Sequence, residues 1–273
     1  MYSRILFPQL LLSLGLMLGW VRNVEADSVP IPHGKIELVA ETGSIQPGHS
    51  FCVGLNFHLE SGWHIYWINP GDAGEPPQLT WRLPAGISAK PTEWPVPKAL
   101  PAFSDMDFGY QNQVLLLVPM TVSAGVKAAP ADIAADVKLI VCREVCIPGK
   151  AQLTLSLPVT NRAAAPNLSV RDLFDAARKQ LPRSSPTVWK FRAASQRDSF
   201  RLMGTLGHPT TKAFFFPLEP GQIENAAPQT VQPTKAGFAM TLKKSEQLLK
   251  PIRDLKGVLL LGDRAYAITA PVQ

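Results

Sequence analysis

The sequence predicts an all-β protein: an antiparallel sandwich, then a connector helix, then a second, smaller β-sandwich-like domain. Short apolar runs with a period of two recur along the chain. The 26 prolines and 19 glycines supply frequent turns between these runs, and one stretch alone has clear helical periodicity. Many short strands separated by turns are typical of a sandwich. We therefore expect the first domain at residues 27–160, the connector at 161–185 and the second domain at 186–273.

The clearest strand of the first domain covers residues 51–59. Its alternate residues from Phe51 to Leu59 are all apolar, and this pattern predicts a half-buried strand. Gly62 ends the run, and residues 63–67 resume as an aromatic strand in which Trp63, Ile65 and Trp67 share the core face. Further strand candidates are residues 35–42, 79–83, 114–118, 137–141 and 151–157.

Residues 84–112 show no regular period, and we expect a long loop there. They hold several prolines and the acidic and aromatic stretch 103–110. A long loop inside a compact domain is either functional or disordered. The aromatic side chains favour a functional loop.

The helix is predicted between Ser169, a candidate N-cap, and Pro182, which ends it. Its apolar residues from Val170 to Leu181 recur at helical spacing. The segment after Pro186 contains no cysteine, and we expect a structural or docking role for it. Its strand candidates are residues 188–193, 199–206, 212–218, 237–242 and 257–270.

The first 26 residues have the features of a signal peptide. Arg4 precedes an apolar run at residues 10–21. The small residues Val24 and Ala26 then occupy the −3 and −1 positions of a signal-peptidase site. The apolar run, interrupted only by Ser13 and small residues, has twelve residues, which are too few to span a bilayer that needs about 20. We expect an exported protein, cleaved after Ala26, with no integral membrane segment in the mature chain. The net charge of +6 is spread along the chain, which argues against nucleic-acid binding.

The main chemical feature is the pair Cys142 and Cys146, which lies between two strand-like runs and continues into Pro148 and Gly149. A disulfide needs Cα atoms within about 7 Å, whereas four residues of strand span about 13 Å. If the two cysteines bond, the chain must turn between them, near the surface of a hairpin. A loop of about five residues stabilises by only about 2 kcal/mol. This weak clip favours a redox role; a structural clip or a metal site is the alternative.

The remaining candidate ligands do not form a zinc pattern, because the five histidines are scattered. We therefore expect no metal and no cofactor, although a Cu(I) site with two or three soft ligands stays open. The third cysteine, Cys52, is interpreted as a free thiol in a strand. A resolving thiol for the pair is the alternative.

Four motifs together resemble the N-terminal periplasmic domain of DsbD-type protein-disulfide reductases, in particular the ScsB-like branch associated with copper tolerance. They are residues 62–74, Trp94-Pro95, residues 108–110 and residues 141–149. The resemblance implies an immunoglobulin-like sandwich, a periplasmic location and a redox-active pair. It also implies a transmembrane thiol-relay protein as electron donor and a periplasmic thioredoxin-fold protein as acceptor.

The resemblance further implies a capping loop with an aromatic residue, which by position is Phe103, Phe108 or Tyr110. His64 and Tyr66 face away from the predicted core and are candidates to line the site. We expect Cys142 to be the attacking thiol. The chain has no hydrophobic bundle and no Cys-x-x-Cys domain, so we expect either that a separate membrane protein supplies electrons or that the chain has a narrower role.

A second hypothesis is a non-catalytic two-domain binding module, involved in copper tolerance or envelope assembly, whose disulfide is structural. The motifs around the pair fit either hypothesis. The reduction potential of the pair separates the two, because a structural disulfide is much harder to reduce.

Overall fold

The computed structural model describes residues 28–273. The predicted signal peptide and its cleavage site lie outside these residues. The described chain is nearly all β, with one α-helix, α1 (Arg171–Gln180). The strands of the first half are β1 (Ser28–Ile31), β2 (Gly34–Ala40), β3 (Phe51–Leu59), β4 (His64–Gly71), β5 (Gln78–Arg82), β6 (Ile87–Ala89), β7 (Lys98–Ala102), β8 (Asp105–Gln111), β9 (Gln113–Val122), β10 (Ala131–Cys142) and β11 (Cys146–Leu157). Those of the second half are β12 (Arg183–Ser184), β13 (Lys190–Ser195), β14 (Ser199–Thr205), β15 (Ala213–Pro217), β16 (Thr230–Thr234), β17 (Gly237–Lys243), β18 (Asp254–Leu261) and β19 (Arg264–Pro271).

The first half is an antiparallel sandwich of two sheets. One sheet has the order β1-β2-β3-β9-β6, and the other has the order β11-β10-β4-β8-β7 with β5 paired to β10. Apolar residues of both inner faces form one buried core, as expected for a sandwich. The predicted all-β immunoglobulin-like class is confirmed. No helix of the described residues is long and apolar enough to cross a membrane.

The prediction of a long loop at residues 84–112 is wrong. This segment contains β6 and the antiparallel hairpin of β7 and β8. Phe108 and Tyr110 lie in β8 and are buried in the core. The prolines hid these strands from a period-two search, because Pro101 sits in β7 at the edge of its sheet, where a missing N–H is tolerated.

The prediction that β3 is half-buried is also wrong. Eight of its nine residues are buried, and only His58 is partly exposed. The outer face is covered because helix α1 packs Phe174 and Ala177 against Cys52 and the neighbouring strand β9. The helix was predicted correctly, but Ser169 is not its N-cap: Val170 takes that position without a side-chain hydrogen bond.

The second half is a smaller sandwich, with sheets β12-β19-β18-β15 and β13-β14-β17-β16. It has a core of its own, yet Phe216 belongs to the buried core of the first sandwich. The Phe216 ring packs edge-on against Trp67 and Phe108, at centroid distances of 6.2 and 5.1 Å. Asn69 also donates a hydrogen bond to the Pro217 carbonyl at 2.8 Å. The two sandwiches therefore share apolar packing directly behind β4.

Candidate thiol-disulfide site

The cysteine pair closes the end of a long hairpin. Strands β10 and β11 are paired over twelve positions, from Ala131 opposite Leu157 to Cys142 opposite Cys146. Residues 143–145 form the turn, and the Cα atoms of the two cysteines are 4.2 Å apart. Cys142 and Cys146 form a disulfide. The predicted position of the pair, at a turn in a surface hairpin, is confirmed.

The two cysteines of the disulfide differ in exposure to solvent. Cys142 is 2% exposed, because it lies between β11 and the first residue of β4. Cys146 is exposed, and the adjacent Val145 in the turn is 61% exposed. A thiolate arriving from solvent therefore meets Cys146 before it meets Cys142.

Strand β4 supplies the inner wall of the site. His64 is paired with Cys142 in the sheet. Tyr66, two residues further on the same face, places its hydroxyl oxygen 3.6 Å from the Cys146 sulfur. Ile65 and Trp67 point into the core. The structure thus brings both predicted lining residues to the disulfide.

The environment of Tyr66 keeps its phenol neutral. Burial raises the pKa of Tyr66 well above its usual value, and the nearby Asp107 carboxylate adds to this increase. Gly74 lies against the ring with φ +77°, and a Cβ at this position would overlap the ring atoms. The Tyr66 hydroxyl can therefore donate a hydrogen bond to sulfur over the whole physiological pH range.

Asp107 is a site residue that the sequence did not identify. It is buried in β8. One carboxylate oxygen lies 3.7 Å from the His64 Nε2 atom, and the other accepts a hydrogen bond from the Ala73 amide at 3.2 Å. The His64 ring meets the Tyr66 ring edge-on at 5.1 Å. The signal that could have identified it is the position of Asp107 between the apolar residues Met106 and Phe108.

The turn between the cysteines is held from outside by a stack of side chains. The Arg143 guanidinium lies 5.2 Å from the centroid of the Trp63 ring. Trp63 stacks in parallel on His33 at 3.6 Å, and His33 Nδ1 lies 2.8 Å from a Glu60 carboxylate oxygen. A cation over an aromatic face stabilises by about 0.5–1 kcal/mol when exposed. These contacts fix one side of the hairpin end.

The three candidate cap residues separate into two groups. Phe103 is 101% exposed in the β7–β8 turn, with φ +56°. Phe108 is buried against Phe216, and the Tyr110 hydroxyl donates to the Pro95 carbonyl at 2.7 Å. Phe108 and Tyr110 are therefore core residues and cannot cap the disulfide. A capping role stays a prediction for Phe103 alone.

The third cysteine lies in a different part of the sandwich. Cys52 is buried beneath helix α1. Burial raises the pKa of its thiol to about 12, and the Glu41 carboxylate adds to this increase. A neutral, covered thiol is a poor nucleophile. Among residues 28–273, no group of three or more His, Cys, Asp or Glu side chains could hold a metal ion.

Fold and site together define an immunoglobulin-like sandwich with a partly exposed disulfide at a hairpin end. Residues 37–158 match the family described as "Thiol:disulfide interchange protein DsbD, N-terminal". The first sandwich therefore matches the DsbD N-terminal family model, which confirms the resemblance seen in the sequence.

A solved structure extends the comparison to both sandwiches. The crystal structure of the N-terminal periplasmic domain of ScsB from Proteus mirabilis superposes with a TM-score of 0.69. The match covers 90% of this chain and 96% of that one at 16% sequence identity. At this identity the likeness shows the fold alone. A search of curated proteins finds no match.

Proposed function

We propose that this chain is a periplasmic thiol–disulfide interchange protein. Its Cys142–Cys146 pair accepts two electrons from a transmembrane thiol-relay protein and passes them to periplasmic thioredoxin-fold proteins. The observation that supports this proposal best is the disulfide itself, which closes a short turn with one cysteine exposed. The family of the first sandwich supports the same chemistry. We further propose the first sandwich, residues 27–160, as the redox domain, and residues 186–273 as its support.

The exchange cycle has two steps in each direction. In the reduced protein, the Cys146 thiolate attacks one sulfur of the partner disulfide, and the other partner sulfur leaves as a thiolate. Cys142, as a thiolate, then attacks Cys146 in the mixed disulfide and releases the second partner thiol. The partner gains two electrons, and the pair is oxidised. A dithiol on the membrane relay reverses these steps and restores the reduced pair.

The burial pattern favours Cys146 as the attacking thiol, opposite to the expectation from the sequence. Cys142 is buried between two strands, so a partner cannot reach it without opening the sheet. Cys146 is exposed. The sequence could not separate them, because both flank the same turn and alternation alone does not fix which one faces solvent.

We assign Tyr66 the role of a hydrogen-bond donor to the Cys146 sulfur. A hydrogen bond to the charged form of a group lowers its pKa, and the thiolate is the reactive form of cysteine. The 3.6 Å approach of the Tyr66 hydroxyl and the neutral phenol fit this role. His64 and Asp107 lie behind Tyr66 and keep this wall polar.

Single-cysteine variants test the function. We expect Cys142→Ala, which leaves Cys146 free, to trap a mixed disulfide with an oxidised thioredoxin-fold protein on non-reducing gels. Cys146→Ala should trap little, and Cys52→Ala should behave like the wild type. The reduction potential of the wild-type pair should be less negative than about −300 mV, the limit for structural disulfides. A pair below that limit, with no trapped complex in any variant, would support a structural clip in a binding module.

A further inference from the structure

A basic cleft lies where the first sandwich, helix α1 and the second sandwich meet. Its volume is about 550 Å³. Its cationic lining residues are Lys98, Lys179, Arg183 and Arg264, and Asp263 adds one acidic group. The ion pairs within residues 28–273 include none of these four cations. The cleft therefore presents four cations against one carboxylate.

The cleft begins at the end of the sheet that carries the disulfide. The ladder at that end runs from Cys146 to Cys142, then to His64 and on to Gln111. Gln111 lines the cleft. The Cα atoms of the two cysteines are 4.2 Å apart. Neighbouring strands lie about 4.8 Å apart, so Gln111 is about 10 Å from Cys142 and about 14 Å from Cys146.

A protein that reacts with Cys146 is large enough to reach the cleft. A standard protein–protein interface buries about 800 Å² on each partner, which is a disc of about 16 Å radius, and redox interfaces are smaller. A disc centred on Cys146 extends to Gln111. The next positions of the lining are Asn112 and Gln113, whose amide side chains can donate hydrogen bonds to carboxylates.

We propose that this basic cleft is a second contact surface for the protein that exchanges disulfides at Cys146, and that it recognises an acidic segment of that partner. The inference rests on the proposed function and specifies the chemistry of the partner. Arg183 and Arg264 come from the second sandwich and Lys179 from helix α1. The elements without cysteine thus take part in recognition. Complementary charge at the rim of an interface acts mainly on the association rate.

The test uses the oxidised full chain and three synthetic peptides. Each has one cysteine, a flexible spacer of about five residues, enough to reach about 14 Å, and four Glu, four Gln or four Lys residues. The second-order rate of disulfide opening is measured for each peptide at low salt and at 0.5 M NaCl. We expect the Glu peptide to react at least about 10-fold faster than the Gln peptide at low salt. High salt should remove most of this difference.

The decisive variant reverses three cations of the cleft: Lys179→Glu, Arg183→Glu and Arg264→Glu together. With this variant, the Glu peptide should open the disulfide no faster than the Gln peptide does. The rate at which dithiothreitol opens the disulfide should be unchanged. The intrinsic reactivity of each peptide thiol is the same with every protein variant. It therefore does not affect the comparison of the Glu-to-Gln rate ratio between variants.

The matched control replaces three exposed lysines outside the cleft with Glu. They are Lys127, Lys235 and Lys250. This variant should keep the Glu-to-Gln rate ratio of the wild type. A ratio of one in the wild type, or an equal loss in both variants, would overturn the proposal.

Binding of a Glu peptide with serine in place of cysteine separates the cleft from the redox function. Its fluorescence anisotropy should rise with the wild type and not with the cleft variant, whether or not the disulfide reacts. If the peptide binds but no thiol opens the disulfide, the proposed function fails and the cleft stands. If the wild type binds vesicles of phosphatidylglycerol and not the peptide, the cleft is a membrane contact and the proposal is wrong.

Discussion

The two sandwiches are both built from mainly antiparallel sheets but differ in the residues that they place at the ends of the strands. The first sandwich brings Cys146, Tyr66 and His64 together at one end of a sheet. The second contains no cysteine, and its single histidine, His208, is exposed. It contacts the sheet of the site through Phe216, which packs behind β4. The first sandwich therefore holds the disulfide, and the second packs behind the strand that lies beside it.

The largest effect is expected from weakening the apolar packing between the two sandwiches. Phe216→Ala should lower the free energy of unfolding by about 3–5 kcal/mol, because it opens a cavity against Trp67 and Phe108. It should also slow exchange with a thioredoxin-fold partner, because β4 loses its support. Urea unfolding and exchange kinetics measure the two effects.

Phe238→Ala is the control for Phe216→Ala. Phe238 is buried in the second core and belongs to the sheet that does not contain Phe216. This variant should lose stability with normal exchange in the molecules that remain folded. Slower exchange in both variants to the same degree would show that general destabilisation, and not support of β4, is the cause.

An intermediate effect is expected from the two buried tyrosines of the first sandwich. Tyr66→Phe should raise the pKa of the Cys146 thiol by about 1–2 units, because a hydrogen bond to a charged group contributes about 1.5–3 kcal/mol. The pH dependence of iodoacetamide alkylation in the Cys142→Ala background measures this pKa.

Tyr110→Phe is the matched control for Tyr66→Phe. It removes a hydrogen bond to the Pro95 carbonyl and should cost about 1 kcal/mol of stability without moving the thiol pKa. If Tyr66→Phe leaves the alkylation profile unchanged, the Tyr66 hydroxyl has no role in activating the sulfur.

The smallest effect concerns Cys52, whose folded pKa is raised to about 12 from an ordinary 9.0. As the pH rises, the Cys52 thiol loses its proton in the unfolded chain at a lower pH than in the folded protein. The contribution of this group to the free energy of unfolding is therefore complete below about pH 9 and is lost as the pH rises towards 12. The slope from this group is at most about 1.4 kcal/mol per pH unit. Cys52→Ala should make the alkaline loss of stability less steep, as measured by urea unfolding between pH 8 and pH 10.5. An unchanged slope would show that other groups, such as Tyr110, dominate.

The sequence predicted the parts of the structure that depend on local patterns. The period of two placed His64 and Tyr66 on one face of β4, and the short spacing of the cysteines required a turn. Contacts between distant segments were not predictable. Helix α1 buries the outer face of β3, and Phe216 buries Phe108 in a segment that was expected to be a loop.

The twelve-residue pairing of β10 and β11 has a consequence for how the redox state is communicated. The ladder holds Cys142 opposite Cys146 through backbone hydrogen bonds that the disulfide does not supply. Opening the bond therefore leaves the hairpin in place. In the proposed function, we therefore expect the two redox states to differ mainly at the sulfur atoms of the pair. A partner would then distinguish them by contact with Cys146, which is the exposed cysteine.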